Sequence, residues 1–252
     1  LDSLVVFAGP EAADRLTVEQ SDILTLSVTG PGAAEAGAGA DNLVLRAARA
    51  LQAEACVKEG AALHLEKMLP VAAGIGGGSS DAAAALRLLT RLWDINPRYA
   101  RTVAPQLGGD VPVALHGQPA FMRGEGERVE PVRLPASLPA VLFNSGIACP
   151  TGPVFAAFDA AGGGAGFAID WLAGQRNDLE SPALALHSAL KPPERTLNGP
   201  ADALLTRMSG SGATFVCLYG TLDAARESAE SLRAQQPEAW VRATLLGGAD
   251  LS

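Results

Sequence analysis

One segment constrains this chain more than any other: from Pro70 to Asp81, three consecutive glycines and two serines stand directly before a helical pattern. The pattern begins at Ala82, and its apolar residues recur at helical spacing: Ala85, Leu86, Leu89 and Trp93. The glycine run therefore predicts a turn that opens a helix. Glycine lets the main chain approach an anion closely, and the free N–H groups and dipole of a helix start attract negative charge. The segment predicts a phosphate-binding site.

The hydroxyl and carboxyl groups of this segment have more than one interpretation. Ser79, Ser80 and Asp81 can cap the helix, and if their oxygen atoms face a nucleotide they can help hold its magnesium ion, with Ser80 as the candidate ligand. A flexible turn capped by serine is the alternative. The segment is not a Walker loop, because no Gly-Lys-Ser/Thr follows, and it lacks the GxGxxG spacing of a dinucleotide-binding turn.

Composition limits the possible partners. The chain has 252 residues, of which 48% are hydrophobic, and a formal net charge of -8. This size and apolar content suffice for a buried core. The negative charge disfavours nucleic acid and acidic membrane surfaces as partners. We expect a cytoplasmic protein, monomeric or homodimeric, that acts on a small-molecule substrate. The widely spaced Cys56, Cys149 and Cys217 predict neither a disulfide framework nor a zinc site.

Periodicity predicts alternating helices and strands along the first half of the chain. Apolar residues alternate with polar ones on both sides of Gln20-Ser21-Asp22, which predicts an antiparallel hairpin. A helix capped at Asp41-Asn42 should run to about Ala55, and a strand should follow around Leu63. We expect a further helix at 101–107, ending at Gly108-Gly109, and then apolar strands around Val113 and Val141.

The second half predicts another α+β layer. Its expected elements are a glycine-rich loop at 162–166, a helix around Trp171, a strand at 214–219, a helix at 223–235 and a strand at 240–246.

The string PVAAGIGGGSSDAA resembles the PxxxGLGSSAA nucleotide loop of the GHMP kinases, and its additional glycine is typical of the diphosphocytidyl-methylerythritol kinases among them. Four further strings in the same order strengthen the resemblance: LGGDVP at 107–112, GEGE at 124–127, NDLE at 177–180 and MSGSG at 208–212. Together they cover nearly the whole chain. The resemblance implies a two-domain α+β GHMP kinase fold, with a nucleotide-binding domain at 1–138 and a second α+β domain at 139–252.

The resemblance also implies roles for individual residues. Asp110 takes the place of the family's catalytic aspartate, which orients or accepts the proton of the acceptor alcohol and so also contacts the substrate. The residues in the place of the ATP site are Asn42, Lys67, Pro70, Val71, Ala72, Ala73, Gly74, Ile75, Gly76, Gly77, Gly78, Ser79 and Ser80. The residues in the place of the substrate site are Thr151, Ser209, Gly210 and Ser211.

Some of these assignments have alternatives, and the match is incomplete. Lys67 either contacts the nucleotide or is a solvated lysine at a strand end. Asn42 either lies near the adenosine or serves as an N-cap. Ser145 stands where related kinases usually carry proline. The family's first strand, with its catalytic lysine and cytidine-binding residues, has no counterpart here, so we expect roughly thirty residues to precede Leu1 in the whole protein.

The activity that the resemblance implies is ATP- and Mg²⁺-dependent phosphorylation of the 2-hydroxyl of 4-diphosphocytidyl-2-C-methyl-D-erythritol, a step of non-mevalonate isoprenoid synthesis. Two alternatives stay open: a GHMP kinase for homoserine, mevalonate or a sugar, and a nucleotide-binding regulator of this fold without catalysis.

Overall fold

The computed structural model describes residues 2–134, 136–163, 176–190, 193 and 203–247. The strands are β1 (Asp2–Val5), β2 (Phe7–Ala8), β3 (Arg15–Ser21), β4 (Leu24–Thr29), β5 (Gly60–Glu66), β6 (Ala120–Arg123), β7 (Arg128–Pro131), β8 (Leu138–Asn144), β9 (Leu205–Met208), β10 (Thr214–Leu218) and β11 (Trp240–Gly247). The helices are α1 (Ala33–Ala36), α2 (Leu43–Glu54), α3 (Gly77–Leu92), α4 (Arg98–Leu107), α5 (Asp110–His116), α6 (Thr151–Ala160), α7 (Glu180–Leu186) and α8 (Leu222–Gln235). Within these ranges, no helix combines the length and apolar character needed to cross a membrane.

The first sheet has the strand order β3-β5-β4, so the predicted hairpin is wrong. β5 lies between the other two strands, antiparallel to β3 and parallel to β4. Its apolar residues Leu63 and Leu65 are fully buried. The alternation along β3 and β4 correctly predicted that each strand has one partly buried face, but such alternation does not identify the neighbouring strand. Burial of the more apolar β5 at the centre decides the pairing.

Helices α2 and α3 cover this sheet, α4 packs against both helices, and together they form the first core. The buried faces of α2 and α3 supply Leu51, Leu86 and Leu89, each with no exposed surface. Trp93, at the end of α3, packs against the same core and donates from its indole N–H to the Gly60 carbonyl at 3.3 Å. The amphipathic pattern that predicted α3 is therefore the pattern of its buried face.

The predicted strand around Val113 is wrong, because this segment is the helix α5. Pro112 lies in the first helical turn, where its missing N–H costs no hydrogen bond. Gly117 ends the helix in a left-handed conformation with φ of 70°, and its amide donates to the Val113 carbonyl at 3.0 Å. These start and stop residues outweigh the strand preference of the valines.

The second core lies around a five-stranded sheet of order β2-β11-β8-β10-β9. α8 packs on this sheet, and the fully buried Phe143 and Phe215 pair across β8 and β10. The predicted strands at Val141, 214–219 and 240–246 and the helix at 223–235 are all present. The predicted helix around Trp171 and most of the glycine-rich loop at 162–166 lie outside the described residues.

The start of the chain connects two of the sheets. β1 joins the small sheet β1-β6-β7, whereas β2, one residue later, pairs with β11 in the five-stranded sheet. The proposed division between residues 138 and 139 stays a prediction. Whatever its position, the chain before Gly9 contributes strands to two sheets.

Candidate active site

The glycine segment forms the turn before α3, as its composition predicts. Gly76 is the N-cap of α3 in a left-handed conformation with φ of 66°, and α3 begins at Gly77. The prediction that Ser79, Ser80 and Asp81 cap the helix is therefore wrong, because these residues already lie inside its first turns. An α-helix leaves its first amide groups without intrahelical acceptors. The turn consequently presents glycine N–H groups at the positive end of a helix of 16 residues.

The two first glycines of α3 face different surroundings. A Cβ atom at Gly77 would lie 3.3 Å from both the Leu69 side chain and Lys67 Nζ, so this position faces the protein interior. A Cβ atom at Gly78 would meet no atom within 4 Å, and Gly78 is exposed. Of the two positions, Gly78 is therefore the one from which a side chain would extend into open space.

Beneath the glycine turn lies a buried group of three charges. Lys67 Nζ donates to Asp14 Oδ2 at 2.6 Å and to Asp81 Oδ2 at 2.7 Å, and the side chains of all three residues are nearly inaccessible. Asp14 Oδ1 accepts from the main-chain amides of Met68 and Leu69 at 2.6 and 2.8 Å. Asp14 therefore fixes the strand end that leads into Pro70. Lys67 is not a solvated strand-end lysine, and its contact with a nucleotide stays a prediction.

One ammonium group cannot neutralise two buried carboxylates. Burial alone lowers the pKa of Lys67, but the charges and hydrogen bonds of Asp81 and Asp14 outweigh it, so the net pKa is raised. Burial raises the pKa of Asp81 to about 7, and the charge of Asp14 adds to this while Lys67 opposes it. Near neutral pH the Lys67 side chain is charged, and the Asp81 carboxyl changes between its protonated and ionised forms.

Asp110 lies beside the glycine turn. It is the first residue of α5, and its Oδ2 would be 3.9 Å from a Cβ atom at Gly76. The residue is solvent-accessible, yet the surrounding protein displaces enough water to raise the pKa of its carboxyl. The GEGE string packs behind it, because any side chain on Gly126 would overlap the Gly109 main chain.

The loop of residues 208–212, here called the docking loop, approaches the glycine turn from the second sheet. Ser209 Oγ donates to the Gly74 carbonyl at 2.9 Å, and the Thr214 amide donates to the Ala73 carbonyl at 3.2 Å. A side chain on Gly74 would overlap the Gly212 carbonyl, so only glycine permits this approach. The structure thus brings two of the sequence strings into direct contact.

Thr151 and Ser211 meet on the far side of the docking loop. Thr151 begins α6, and its Oγ1 is 2.9 Å from Ser211 Oγ. The Cys149 thiol donates to the Ser211 carbonyl at 3.0 Å. Three of the residues predicted to bind substrate, Thr151, Ser209 and Ser211, are therefore joined through one loop to the predicted nucleotide turn.

Comparison with known proteins identifies the family. The model of the GHMP kinases N terminal domain matches residues 42–118, which include the glycine turn and Asp110. The chain is 56% identical to 4-diphosphocytidyl-2-C-methyl-D-erythritol kinase of Hyphomonas neptunium, over 99% of this chain and 89% of that protein. This chain belongs to the 4-diphosphocytidyl-2-C-methyl-D-erythritol kinase family. The homologue of that name from Parvibaculum lavamentivorans is 47% identical over 98% of this chain and 90% of its own length.

A solved structure supports the family's fold here. The crystal structure of a 4-(cytidine 5'-diphospho)-2C-methyl-D-erythritol kinase superposes with a TM-score of 0.72 and 36% identity, covering 94% of this chain and 87% of that one. The α+β GHMP kinase fold expected from the five sequence strings is confirmed.

The sequence of this kinase offered the N-cap role of Asn42 as one of two alternatives but gave no indication of a role for Asp14. Asn42 caps α2, since its Oδ1 accepts from the Val44 amide at 2.9 Å. Its Nδ2 donates to the Gly37 carbonyl at 2.7 Å, and its contact with adenosine stays a prediction. Asp14 was missed, because it stands in no recognisable string and its partners lie 53 to 55 residues away.

Proposed function

We propose that this chain transfers the γ-phosphoryl group of ATP to the 2-hydroxyl of 4-diphosphocytidyl-2-C-methyl-D-erythritol, in the synthesis of isoprenoid precursors. The observation that carries the proposal is the position of the Asp110 carboxylate beside the helix-opening glycine turn. This arrangement sets a proton acceptor next to a phosphate-binding helix start, which is the pairing that phosphoryl transfer to an alcohol requires. The identity of the chain with named relatives supports the choice of acceptor.

On the nucleotide side, we assign the ATP phosphates to the turn from Gly74 to Ser80. The glycine amides and the α3 dipole would hold their negative charge. Asn42 and Lys67 remain candidates for contact with the rest of the nucleotide. Ser80 offers an oxygen donor of the kind that Mg²⁺ prefers, so it suits the ion that neutralises the phosphates of bound ATP.

On the acceptor side, Asp110 would take or orient the proton of the attacking hydroxyl as the phosphoryl group arrives. We infer that the phosphoryl group passes directly from ATP to the acceptor hydroxyl. Thr151, Ser209, Gly210 and Ser211 would line the acceptor end of the cleft, since the docking loop reaches the glycine turn and also contacts Thr151. The net charge of -8 disfavours a nucleic-acid partner or an acidic membrane surface. We propose that the substrate is a small molecule of the cytoplasm.

A panel of acceptor alcohols tests the proposal. ADP release by the purified full-length protein, with ATP and Mg²⁺, is measured with 4-diphosphocytidyl-2-C-methyl-D-erythritol, mevalonate, homoserine and free erythritol. We expect kcat/KM for the cytidine diphosphate ester to exceed that for each of the other alcohols by more than about 100-fold. The other alcohols lack the cytidine diphosphate group, so polar groups of the protein that would bind it are left without partners. Equal use of mevalonate would refute the proposed acceptor. Nucleotide binding without turnover of any acceptor would favour a non-catalytic role.

A further inference from the structure

We propose that Asn177 is a positioning residue that fixes the docking loop in the conformation that contacts the glycine turn. Asn177 belongs to the NDLE string, for which the sequence suggests no role. Its Nδ2 donates to the Met208 carbonyl at 2.9 Å and to the Gly210 carbonyl at 2.7 Å. Its Oδ1 accepts from the Leu179 amide at 3.0 Å, which fixes the orientation of the amide group. One side chain thus joins two carbonyls of the loop.

Glu180, at the other end of the string, holds the loop from the same side. Its Oε2 accepts from the Met208 amide at 3.1 Å. The amide and the carbonyl of Met208 are therefore held by two residues that lie three positions apart at the start of α7. The spacing of the NDLE string suits this arrangement, because Asn177 precedes the helix and Glu180 is its first residue.

The docking loop needs such external support because of its composition. Gly210 and Gly212 both have positive φ, at 50° and 91°. Glycines reach these conformations without steric cost, but they lose more conformational entropy than other residues when they are ordered. A loop of this kind has little intrinsic preference for one shape. We infer that the two hydrogen bonds from Asn177 select the shape in which Ser209 meets the Gly74 carbonyl and Ser211 meets Thr151.

The inference predicts a coupled effect on both substrates and rests on the proposed kinase function. Among the described residues, the side chain of Asn177 hydrogen-bonds to Met208, Gly210 and Leu179 and not to the glycine turn or Thr151. We infer that its influence on the site passes through the docking loop. If the loop loses its shape, the nucleotide turn loses the Ser209 contact and the acceptor end loses Ser211 together. A residue that only stabilises the fold would leave both affinities unchanged in the folded enzyme.

The test compares Asn177→Asp with Asp178→Asn. Asn177→Asp keeps the acceptor for the Leu179 amide but replaces the two donated hydrogen bonds with repulsion between the carboxylate and two carbonyls. Asp178→Asn is the matched control, because Asp178 pairs with Arg176 at the surface and not with the loop. The KM values for ATP and for the acceptor are measured, together with the dissociation constant of ADP by calorimetry and the melting temperature.

We expect Asn177→Asp to raise both KM values and the ADP dissociation constant by about 10-fold, as for the loss of two ordinary hydrogen bonds. Asp178→Asn should stay within about 2-fold of wild type. A folded Asn177→Asp protein with wild-type KM values and ADP affinity would overturn the inference, even if its melting temperature fell.

Two further measurements keep the test decisive. If Asn177→Asp does not fold, Glu180→Ala removes the acceptor for the Met208 amide, and it should raise the same three constants; unchanged constants would overturn the inference. If the wild-type protein phosphorylates no acceptor, the proposed function fails, whereas the ADP dissociation constants of the variants still decide whether Asn177 positions the docking loop.

Discussion

The contact between the glycine turn and the docking loop predicts opposite effects for the same substitution at two glycines of one segment. At Gly74, alanine would place a methyl group over the Gly212 carbonyl and 2.7 Å from the Ser209 carbonyl oxygen. Both obstacles are main-chain atoms, which cannot move aside as the end of a flexible side chain can. At Gly78, a methyl group would meet no atom within 4 Å.

The magnitudes follow from these surroundings. Gly74 has φ of 70°, and an L-residue in the left-handed region costs roughly 1 to 2 kcal/mol. Overpacking against fixed atoms typically adds about 1 to 3 kcal/mol. Gly74→Ala should therefore lower the free energy of unfolding by about 2 to 5 kcal/mol. Gly78 lies inside α3, where alanine is favoured over glycine by about 0.5 to 1 kcal/mol, so Gly78→Ala should be neutral or stabilising.

Urea unfolding of the wild-type protein and both alanine variants measures these differences as shifts of the midpoint. Relative to the wild type, we expect a lower urea midpoint for Gly74→Ala and an equal or higher urea midpoint for Gly78→Ala. If Gly74→Ala were as stable as the wild type, the docking loop would not lie against Gly74 as described. If both variants were destabilised equally, the loss of stability relative to the wild type would come from the replacement of glycine itself and not from the contact with the docking loop.

Three further predictions concern the site itself. Gly78→Val should preserve folding but weaken ATP binding by at least about 10-fold, or ~1.4 kcal/mol, because its side chain would extend into the space assigned to the phosphates; unchanged affinity by calorimetry would place the phosphates elsewhere. Asp110→Asn should lower kcat by about 100 to 10,000-fold while leaving ATP affinity and melting temperature near those of the wild type, and near-normal turnover would remove Asp110 from catalysis. The pKa of Asp81 rises from 3.8 to about 7 on folding, so the folded state binds the proton more tightly and the free energy of unfolding should fall as pH rises from about 4 to about 7. Urea unfolding across this range should show a smaller decline for Asp81→Asn than for the wild type, and equal slopes would contradict the assigned pKa.

The sequence predicted the parts of the fold that depend on local chemistry. The start of α3 at the glycine run and the N-cap role of Asn42 follow from residues within a few positions of each other. The strand partners of β3 and β4 could not be predicted in this way, because the central strand β5 is separated from them by α2 in the chain. Its insertion depends on which of the three strands is the most apolar.

In the candidate site too, the residues that stand in local sequence strings could be predicted, and those whose role depends on tertiary contacts could not. Asp110 and the glycine turn stand in recognisable strings, and the structure brings them together. Asp14 has no local signal, since its role depends on a lysine and two amides that reach it only in the folded chain. Lys67 was visible as a cation near the turn, but its burial between two carboxylates is a property of tertiary packing.

The central claim, phosphoryl transfer to the 2-hydroxyl of 4-diphosphocytidyl-2-C-methyl-D-erythritol, is tested most directly by phosphorus NMR of the reaction product. With ATP and Mg²⁺, we predict a new phosphomonoester signal whose phosphorus is coupled to C2 of the methylerythritol unit. The amount of this phosphomonoester should equal the amount of ADP formed, and the cytidine diphosphate signals should stay intact. Release of inorganic phosphate without a phosphomonoester, or cleavage of the diphosphate, would contradict it.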